Sequence, residues 1–329
     1  MKVYIGKVPR EMVVDAERNI IHAGIRALDG VEKVRTEEEA DIIIYSQRYA
    51  DHHCGIAFWQ ERYASTRKFL SPLEIKYPEK TVIMDYADDP LSLIPLSQPV
   101  KAYYKRSLIA KSKSNEIESY ENKEVKLLSY SVRGDFLNHV DTKINYSDRK
   151  TDVSCFFPIH SVNGLDRGLE DWHGAIYRAK VTDKIIDLRD ASLHAGLDYD
   201  VHVGLIGQKG GAGRDKLQKG YFDKCKDSKI IVHCQPYGWE GDFRTFEALA
   251  SGALVISDKS YSMPKHSHPL VDGVHLVEYD RNDLDSMLSK VIYYLKNPDE
   301  AAEIAKRGQE FVLKHHTPAQ RMKQIINIE

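Results

Sequence analysis

The sequence is poor in cysteine and tryptophan, with four cysteines and three tryptophans among 329 residues. The cysteines (Cys54, Cys155, Cys225 and Cys234) show no CxxC spacing, so the usual zinc and dithiol motifs are missing and reduced thiols are expected. No run approaches the roughly 18 consecutive apolar residues that a membrane-spanning helix needs. The N-terminal MKVYIGKV has a strand pattern and lacks the apolar core of a signal peptide. We therefore expect a cytoplasmic protein without a membrane segment.

The chain also lacks an excess of charge. Its 47 Lys and Arg and 49 Asp and Glu give a formal net charge of −2. Near neutrality excludes a global attraction to nucleic acid or to an anionic membrane, although it leaves local basic patches open. The most basic segment that we singled out, KAYYKRSLIAKSK (101–113), is interpreted as a solvated helix or loop because its charges are few.

Strand and helix signals alternate along the chain, which is long enough for two domains. Short apolar runs such as DIIIY (41–45), TVIMD (81–85) and KIIVHC (229–234) indicate buried strands of parallel sheets. The polar segment 138–150 interrupts the alternation. We therefore predict an α/β protein with two doubly wound, Rossmann-like domains, 1–145 and 146–316, facing across a cleft. Ligands should bind there, at the carboxyl ends of the strands.

The segment WEGDFRTFEALASGALVISD (239–258) combines an apolar stripe with a second, charged face. Asp242 fits the N-cap of a helix, and Gly252 fits its left-handed C-cap. Glu240, Arg244 and Glu247 are spaced by four and three residues, so their side chains share one face. The start of this helix follows the carboxyl end of a buried strand, a position that favours a phosphate.

Two of these side chains suit a nucleoside diphosphate. Arg244 can grip a diphosphate oxygen with its planar fork, and Glu247 can accept two hydrogen bonds from a ribose diol. The alternative is that the charged face forms surface ion pairs of little energetic value. A preceding loop with Pro236, Gly238 and Gly241 at the edge of the sheet favours the ligand interpretation.

The segments 241–258 and 272–317 resemble, in order and spacing, the C-terminal donor-binding domain of GT-B fold glycosyltransferases of the group 1 type. They resemble in particular algal and viral variants that read EGDfRtfEAlasGal. The resemblance covers roughly the last 100 residues. It implies that Glu247 binds the nucleotide ribose and that the final helix, 317–329, packs back on the N-terminal domain. Many family members carry a second Glu eight residues before the ribose-binding one, where this chain has Trp239, followed by Glu240.

The resemblance implies a metal-independent enzyme that moves a sugar from a UDP- or GDP-linked donor to a hydroxyl group. No cofactor is expected beyond this donor. Glycans, glycolipids, proteins and modified nucleic-acid bases are all open as acceptors. The predicted donor site comprises Lys209, Arg214, Glu240, Gly241, Arg244, Thr245 and Glu247.

Three alternatives stay open. A sugar-nucleotide epimerase shares the fold, and a nucleotide-binding module would lack chemistry altogether. A nicotinamide-dependent oxidoreductase is disfavoured, because the glycine-rich stretch 204–216 fits neither the dinucleotide fingerprint nor a P-loop. Lys209 and Arg214 in this stretch nevertheless suit a diphosphate.

A catalytic base is expected only if the reaction inverts the sugar. Asp51, His52 and His53 follow the strand DIIIY and should lie at its carboxyl end, where one of them could deprotonate the acceptor. A polar loop without function is the alternative, and a metal site is disfavoured because adjacent histidines seldom chelate one ion. Further candidate bases follow the next strand, at Asp85, Asp88 and Asp89.

Overall fold

The computed structural model describes residues 1–9, 13, 16–53, 71–86, 93–106, 125–156, 175–204, 219–235, 242–259 and 266–326. The chain divides into two compact units: Met1–Gly134 with Thr317–Glu329 form unit 1, and Asp135–His316 form unit 2. The division falls before the boundary predicted at 145–146. Phe136 belongs to unit 2 because its ring contacts Tyr221 and Phe222 of that unit, with ring centres 6.3 and 5.0 Å apart.

Unit 1 contains a parallel sheet whose described strands have the order β2-β1-β3-β4-β5-β6. β3 and β4 are buried along their whole length, as their continuous apolar sequences predict. The strands are β1 (Lys2–Ile5), β2 (Glu32–Lys33), β3 (Ile42–Ser46), β4 (Thr81–Asp85), β5 (Ala102–Arg106) and β6 (Val125–Leu128).

The prediction of a solvated helix or loop over 101–113 is wrong for its first half, which forms β5. Lys105 and Arg106 are buried, with exposed fractions of 0% and 1%. Lys105 is tolerated there because its Nζ lies 3.7 Å from Oδ1 of Asp85, which is also buried. The rest of the segment lies outside the described residues.

The helices of unit 1 include a π-helical stretch that the sequence did not indicate. Residues 11–28 have the apolar spacing of a helix, and their described part forms a π-helix (Glu17–His22) that continues into α1 (Ala23–Arg26). The sequence also indicates a helix over 62–70, which lies outside the described residues. A second helix, α2 (Gln47–His53), follows β3 directly, and α3 (Gly134–Leu137) lies at the division between the units.

Unit 2 contains a second parallel sheet, with described strands in the order β11-β10-β9-β7-β8. Side chains from these strands and from the surrounding helices form one apolar core, which includes Val153, Ile230, Ile256 and Val291. The strands are β7 (Thr151–Cys155), β8 (Val201–Val203), β9 (Ser228–His233), β10 (Leu254–Asp258) and β11 (Val277–Tyr279). The helices are α4 (Ala175–His194), α5 (Lys219–Asp227), α6 (Phe243–Ala250), α7 (Leu284–Lys296) and α8 (Pro298–His315).

The last helix, α9 (Pro318–Ile326), packs within unit 1. It lies so close to α1 that a Cβ atom on Gly24 would fall 2.4 Å from both the Pro318 carbonyl oxygen and Met322 Cγ. Arg321 fixes the helix further, because its Nη2 donates to Ser129 Oγ at 2.6 Å. No helix within the described ranges is long and apolar enough to cross a membrane.

Candidate functional site

The polar residues of unit 2 collect at the carboxyl edge of its sheet. His233 ends β9, Asp258 ends β10, and Arg281 follows β11. Helix α6 begins at the same edge, since the chain reaches it directly after β9. We call His233, Asp258 and Arg281, together with Arg178, Asp242 and Arg244, the carboxyl-edge cluster. In doubly wound folds this edge is where ligands bind.

Asp242 caps α6, as the sequence predicts. Its Oδ1 accepts hydrogen bonds from the backbone N–H groups of Arg244 at 2.8 Å and Thr245 at 3.2 Å. Ser251 ends the helix, and Gly252 follows with φ +79°, the left-handed conformation that a helix C-terminus favours. The two N–H groups are therefore occupied by the Asp242 carboxylate, and the helix start already holds an anion from its own chain.

Three basic side chains surround that carboxylate. His233 Nε2 lies 3.2 Å from Asp242 Oδ1, while Arg244 Nη1 and Arg178 Nη2 lie 3.4 and 3.7 Å from Oδ2. Burial alone would raise the pKa of Asp242, but attraction by His233, Arg244 and Arg178 outweighs it and holds the pKa well below its usual range. Asp242 is therefore an anion at neutral pH, and it orients both guanidinium groups.

Glu247, the predicted ribose ligand, lies one turn further along α6 and is fully buried, with an exposed fraction of 0%. Its Oε2 accepts a hydrogen bond of 2.8 Å from the Tyr221 hydroxyl of α5. Arg244 retains 16% of its side-chain exposure. Of the two residues, therefore, Arg244 is accessible to a ligand in this arrangement and Glu247 is not.

Thr245 lies between these two residues on α6 and is also buried, with 2% exposure. Its Oγ1 has no hydrogen-bond partner within the part of the chain that the structure describes. A buried hydroxyl of this kind costs stability unless a ligand or water completes its hydrogen bonding.

The sequence did not single out the second half of the cluster. Arg281 Nη1 donates to the Gln235 carbonyl at 2.7 Å and to Asp258 Oδ2 at 3.1 Å. Its guanidinium carbon lies 4.0 Å from the centre of the Tyr177 ring. Burial raises the pKa of Asp258, although the Gln235 N–H, His233 and Arg281 act against this rise. The sequence signal that could have identified Asp258 and Arg281 is their position at the end of a strand or just after one.

Four predicted donor-site residues lie outside the described residues: Lys209, Arg214, Glu240 and Gly241. Their assignment stays a prediction. The structure thus brings together Arg244, Thr245 and Glu247 on α6, with Arg178 from α4 as an addition that sequence reasoning missed.

The candidate bases of unit 1 do not converge on one point. They lie on helix α2, not in a loop. Asp51 is buried, accepts a hydrogen bond from Gln47 Nε2 at 3.1 Å, and lies 4.0 Å from Arg48 Nη1. His52 and His53 are exposed.

Of the other candidate bases, the structure describes Asp85 alone. Asp85, a further candidate, is buried and accepts a hydrogen bond of 2.7 Å from the Tyr103 hydroxyl, while Asp88 and Asp89 lie outside the described residues. Within the described ranges, no group of three or more His, Cys, Asp or Glu could hold a metal ion.

Two Rossmann-like units, each with a parallel sheet, give this chain the GT-B fold of glycosyltransferases. A solved alpha-glucosyltransferase in complex with UDP and a 13-mer DNA containing a HMU base matches with a TM-score of 0.53 and 9% identity, covering 100% of both chains. The alpha-glucosyltransferase in complex with UDP-glucose and DNA containing an abasic site matches with a TM-score of 0.51 and 8% identity, covering 99% of this chain and 98% of that one.

Residues 195–327, which lie in unit 2 and in the α9 segment of unit 1, match the model of a family described as glycosyl transferase-like. The family match and the fold together support a transferase. Anabaena HepE in complex with UDP-glucose matches with a TM-score of 0.48 and 13% identity over 99% of this chain and 98% of that chain. The chain spans 51% of TarM, which it matches with a TM-score of 0.40, 10% identity and 89% coverage of this chain. Curated protein sequences gave no match.

Proposed function

We propose that this chain transfers a hexose from a UDP-linked donor to a hydroxyl group, with the donor bound at the carboxyl edge of the unit 2 sheet. The observation that carries the proposal is the carboxyl-edge cluster, whose members other than Arg178 lie within the stretch that matches the glycosyl transferase-like family. UDP is favoured over GDP because the solved relatives with TM-scores of 0.50 to 0.53 are complexes with UDP or UDP-glucose.

Arg244 is the residue that we assign to the donor diphosphate. Its guanidinium is held beside Asp242 at 3.4 Å, yet the side chain is partly exposed, so it can exchange toward a phosphate oxygen. Arg178 Nη2 lies 3.7 Å from the same carboxylate oxygen, Asp242 Oδ2. Positive charge near the leaving diphosphate stabilises it as the glycosidic bond breaks, which would lower the barrier without a metal ion.

Glu247 and Thr245 are assigned to the nucleoside and the sugar. Glu247 has the family position of the ribose ligand, and its contact with Tyr221 shows that the carboxylate already accepts a hydroxyl donor. Because Glu247 is buried, the proposal requires that donor binding uncovers it. The unpartnered Thr245 hydroxyl supports a ligand next to α6.

The acceptor is proposed only as a hydroxyl-bearing molecule. A modified nucleic-acid base is one such acceptor, since the alpha-glucosyltransferase that shares this fold is found with DNA containing a HMU base. Asp51, His52 and His53 stay proposed as acceptor-side residues, needed only for an inverting reaction. The burial of Asp51 against Gln47 makes the exposed histidines the better candidates.

The decisive experiment measures binding of UDP, GDP and dTDP sugars by calorimetry, to the wild type and to Arg244→Gln. We expect UDP-glucose to bind the wild type and Arg244→Gln to weaken it about tenfold or more, because a charged hydrogen bond to phosphate is lost. Arg189→Gln is the control, since Arg189 is exposed and pairs only with the neighbouring Asp190 among the described residues. Equal affinities for both variants would remove Arg244 from the site.

Product analysis then separates the alternatives. Transfer to an acceptor, or slow hydrolysis of the donor, identifies a transferase. Conversion of UDP-glucose into another UDP-sugar without an acceptor identifies an epimerase, and binding without any product identifies a module that lacks chemistry.

We also propose that the protein acts in a reducing compartment, the cytoplasm. Cys155, Cys225 and Cys234 are buried, and burial raises the pKa of Cys234 well above its usual value. Thiols of this kind are unreactive and suit a reducing environment.

A further inference from the structure

Unit 1 has a cavity between its first helix and the edge of its sheet, unrelated to the residues assigned to sugar transfer. The cavity has a volume of about 270 Å³ and is lined by Ile5, His22, Ile25, Arg26, Val31 and Lys33. β2, which carries Lys33, is the edge strand of the described sheet. Among the described strands, none therefore covers this side of the cavity. We call it the edge pocket.

The lining of the edge pocket is half apolar and half basic. Ile5, Ile25 and Val31 supply the apolar surface, while the other three lining residues can each carry positive charge. Lys33 Nζ lies 3.5 Å from His22 Nδ1. Arg26 and Lys33 are exposed at the mouth, and His22 is partly buried. This division into an apolar wall and a few converging polar groups is typical of a pocket for a small molecule.

The basic side chains of the edge pocket are not compensated by acidic ones in the part of the chain that the structure describes. Neither Arg26 nor Lys33 has a carboxylate partner among the described residues. Burial lowers the pKa of Lys33, and the nearby charges of Arg26 and Lys7 lower it further. Burial, Lys33 and Arg26 together lower the pKa of His22 to about 4. A bound anion would relieve this repulsion between like charges.

We propose that the edge pocket binds a small phosphate monoester, of the size of a sugar phosphate, with Arg26 and Lys33 on the phosphate. The planar fork of Arg26 matches phosphate oxygens, and Lys33 supplies a compact charge beside it. A volume of about 270 Å³ exceeds the space of an inorganic phosphate and falls near the lower end of small-molecule pockets. The apolar wall then faces the organic part of the ligand.

The backbone around the edge pocket is held in place, so the pocket is built before a ligand arrives. His22 ends the π-helical stretch, a local distortion that is frequent at functional sites. Two residues later, Gly24 fits closely against Pro318 and Met322 of α9. Helix α9 thereby fixes the segment that carries His22 and Arg26.

The test uses the full chain and measures binding of inorganic phosphate and of glucose 6-phosphate by calorimetry at low salt. We expect glucose 6-phosphate to bind more tightly than phosphate. Arg26→Gln and Lys33→Gln should each weaken binding about tenfold. Lys101→Gln removes one charge from an exposed position of unit 1 outside the pocket and should leave the affinity unchanged. Arg244→Gln should also leave it unchanged, which separates this site from the proposed donor site.

Proton NMR of the histidines gives a second measurement that does not depend on activity. A bound phosphate should raise the pKa of His22 from about 4 by one unit or more, since an anion favours the charged imidazole. The His22→Gln variant identifies the signal. An absence of phosphate binding to the wild type, an equal small loss in all of the charge variants, or an unchanged His22 pKa at saturating ligand would each overturn the proposal.

Discussion

At the scale of single residues, Asp242 determines which groups at the start of α6 can bind a ligand. The partial positive charge of the helix start, His233 and two arginines all act on this one carboxylate. A donor diphosphate therefore competes with Asp242 for Arg244 and does not meet an empty helix terminus. Asp242 keeps Arg244 oriented until that exchange takes place.

Asp242→Asn should separate the charge of this residue from its capping role. Asparagine caps a helix about as well as aspartate, so the loss of stability at neutral pH reports the ionic contacts and is expected to be about 1–2 kcal/mol. The folded pKa of Asp242 lies below its unfolded value of about 3.9. Its contribution is therefore complete above that value and is lost as the pH falls through the folded pKa.

Urea unfolding of the wild type and of Asp242→Asn between pH 7 and pH 3 measures this difference. The gap between the two proteins should be constant above about pH 5 and should narrow below pH 4. A gap that widens on acidification would show that Asp242 is not held as an anion.

Residue-scale prediction from sequence succeeded where the signal was local. The cap at Asp242 and the left-handed Gly252 depend on neighbours within one helix, and both were predicted correctly. The pairs that join Arg281 to Asp258, and Arg178 to Asp242, connect residues far apart in sequence. No periodicity signals such contacts, because they follow from which strand ends lie side by side.

At the scale of elements, continuous apolar strands were the most predictable part of the fold. β3, β4 and β9 were all expected from runs of branched apolar residues, with ends within about two residues of those observed. β5 was missed because its sequence, AYYKR, carries two charged residues. Their burial depends on contacts such as the one between Lys105 and the buried carboxylate of Asp85, which the local sequence does not reveal. The π-helical stretch was missed because its sequence has ordinary helical periodicity.

Gly24→Ala tests the packing of α9 on α1. Alanine favours a helix by up to about 1 kcal/mol, but here its Cβ would lie 2.4 Å from the Pro318 carbonyl oxygen. We expect a net destabilisation of about 1–3 kcal/mol, because two backbones must move apart. Urea unfolding measures it, and an unchanged or increased stability would show that α9 does not pack here.

At the scale of the whole molecule, each of the two units carries one proposed ligand. The structure divides at 134–135, and the polar stretch 138–150 of the sequence does not reveal that Phe136 packs on α5. The two parallel sheets were predicted correctly, because the alternation of strands and helices restarts along the chain.

Hydrogen exchange should show that the two ligands protect different units. UDP should slow exchange in α6 and in the ends of β9 and β10, while glucose 6-phosphate should slow exchange in residues 17–33. Mass spectrometry of peptic fragments resolves these segments. Protection of residues 17–33 by UDP alone, or of α6 by glucose 6-phosphate alone, would contradict the two assignments.

The return of α9 to unit 1 sets an order for folding on the ribosome. Synthesis runs from the N-terminus, and N-terminal domains ordinarily fold first. Here residues 318–326 emerge only after all of unit 2, yet they supply the surface on which Gly24 and Ser129 pack. The part of the protein that is translated first is thus completed last, because the contacts of Gly24 and Ser129 with α9 must wait for the final residues to emerge.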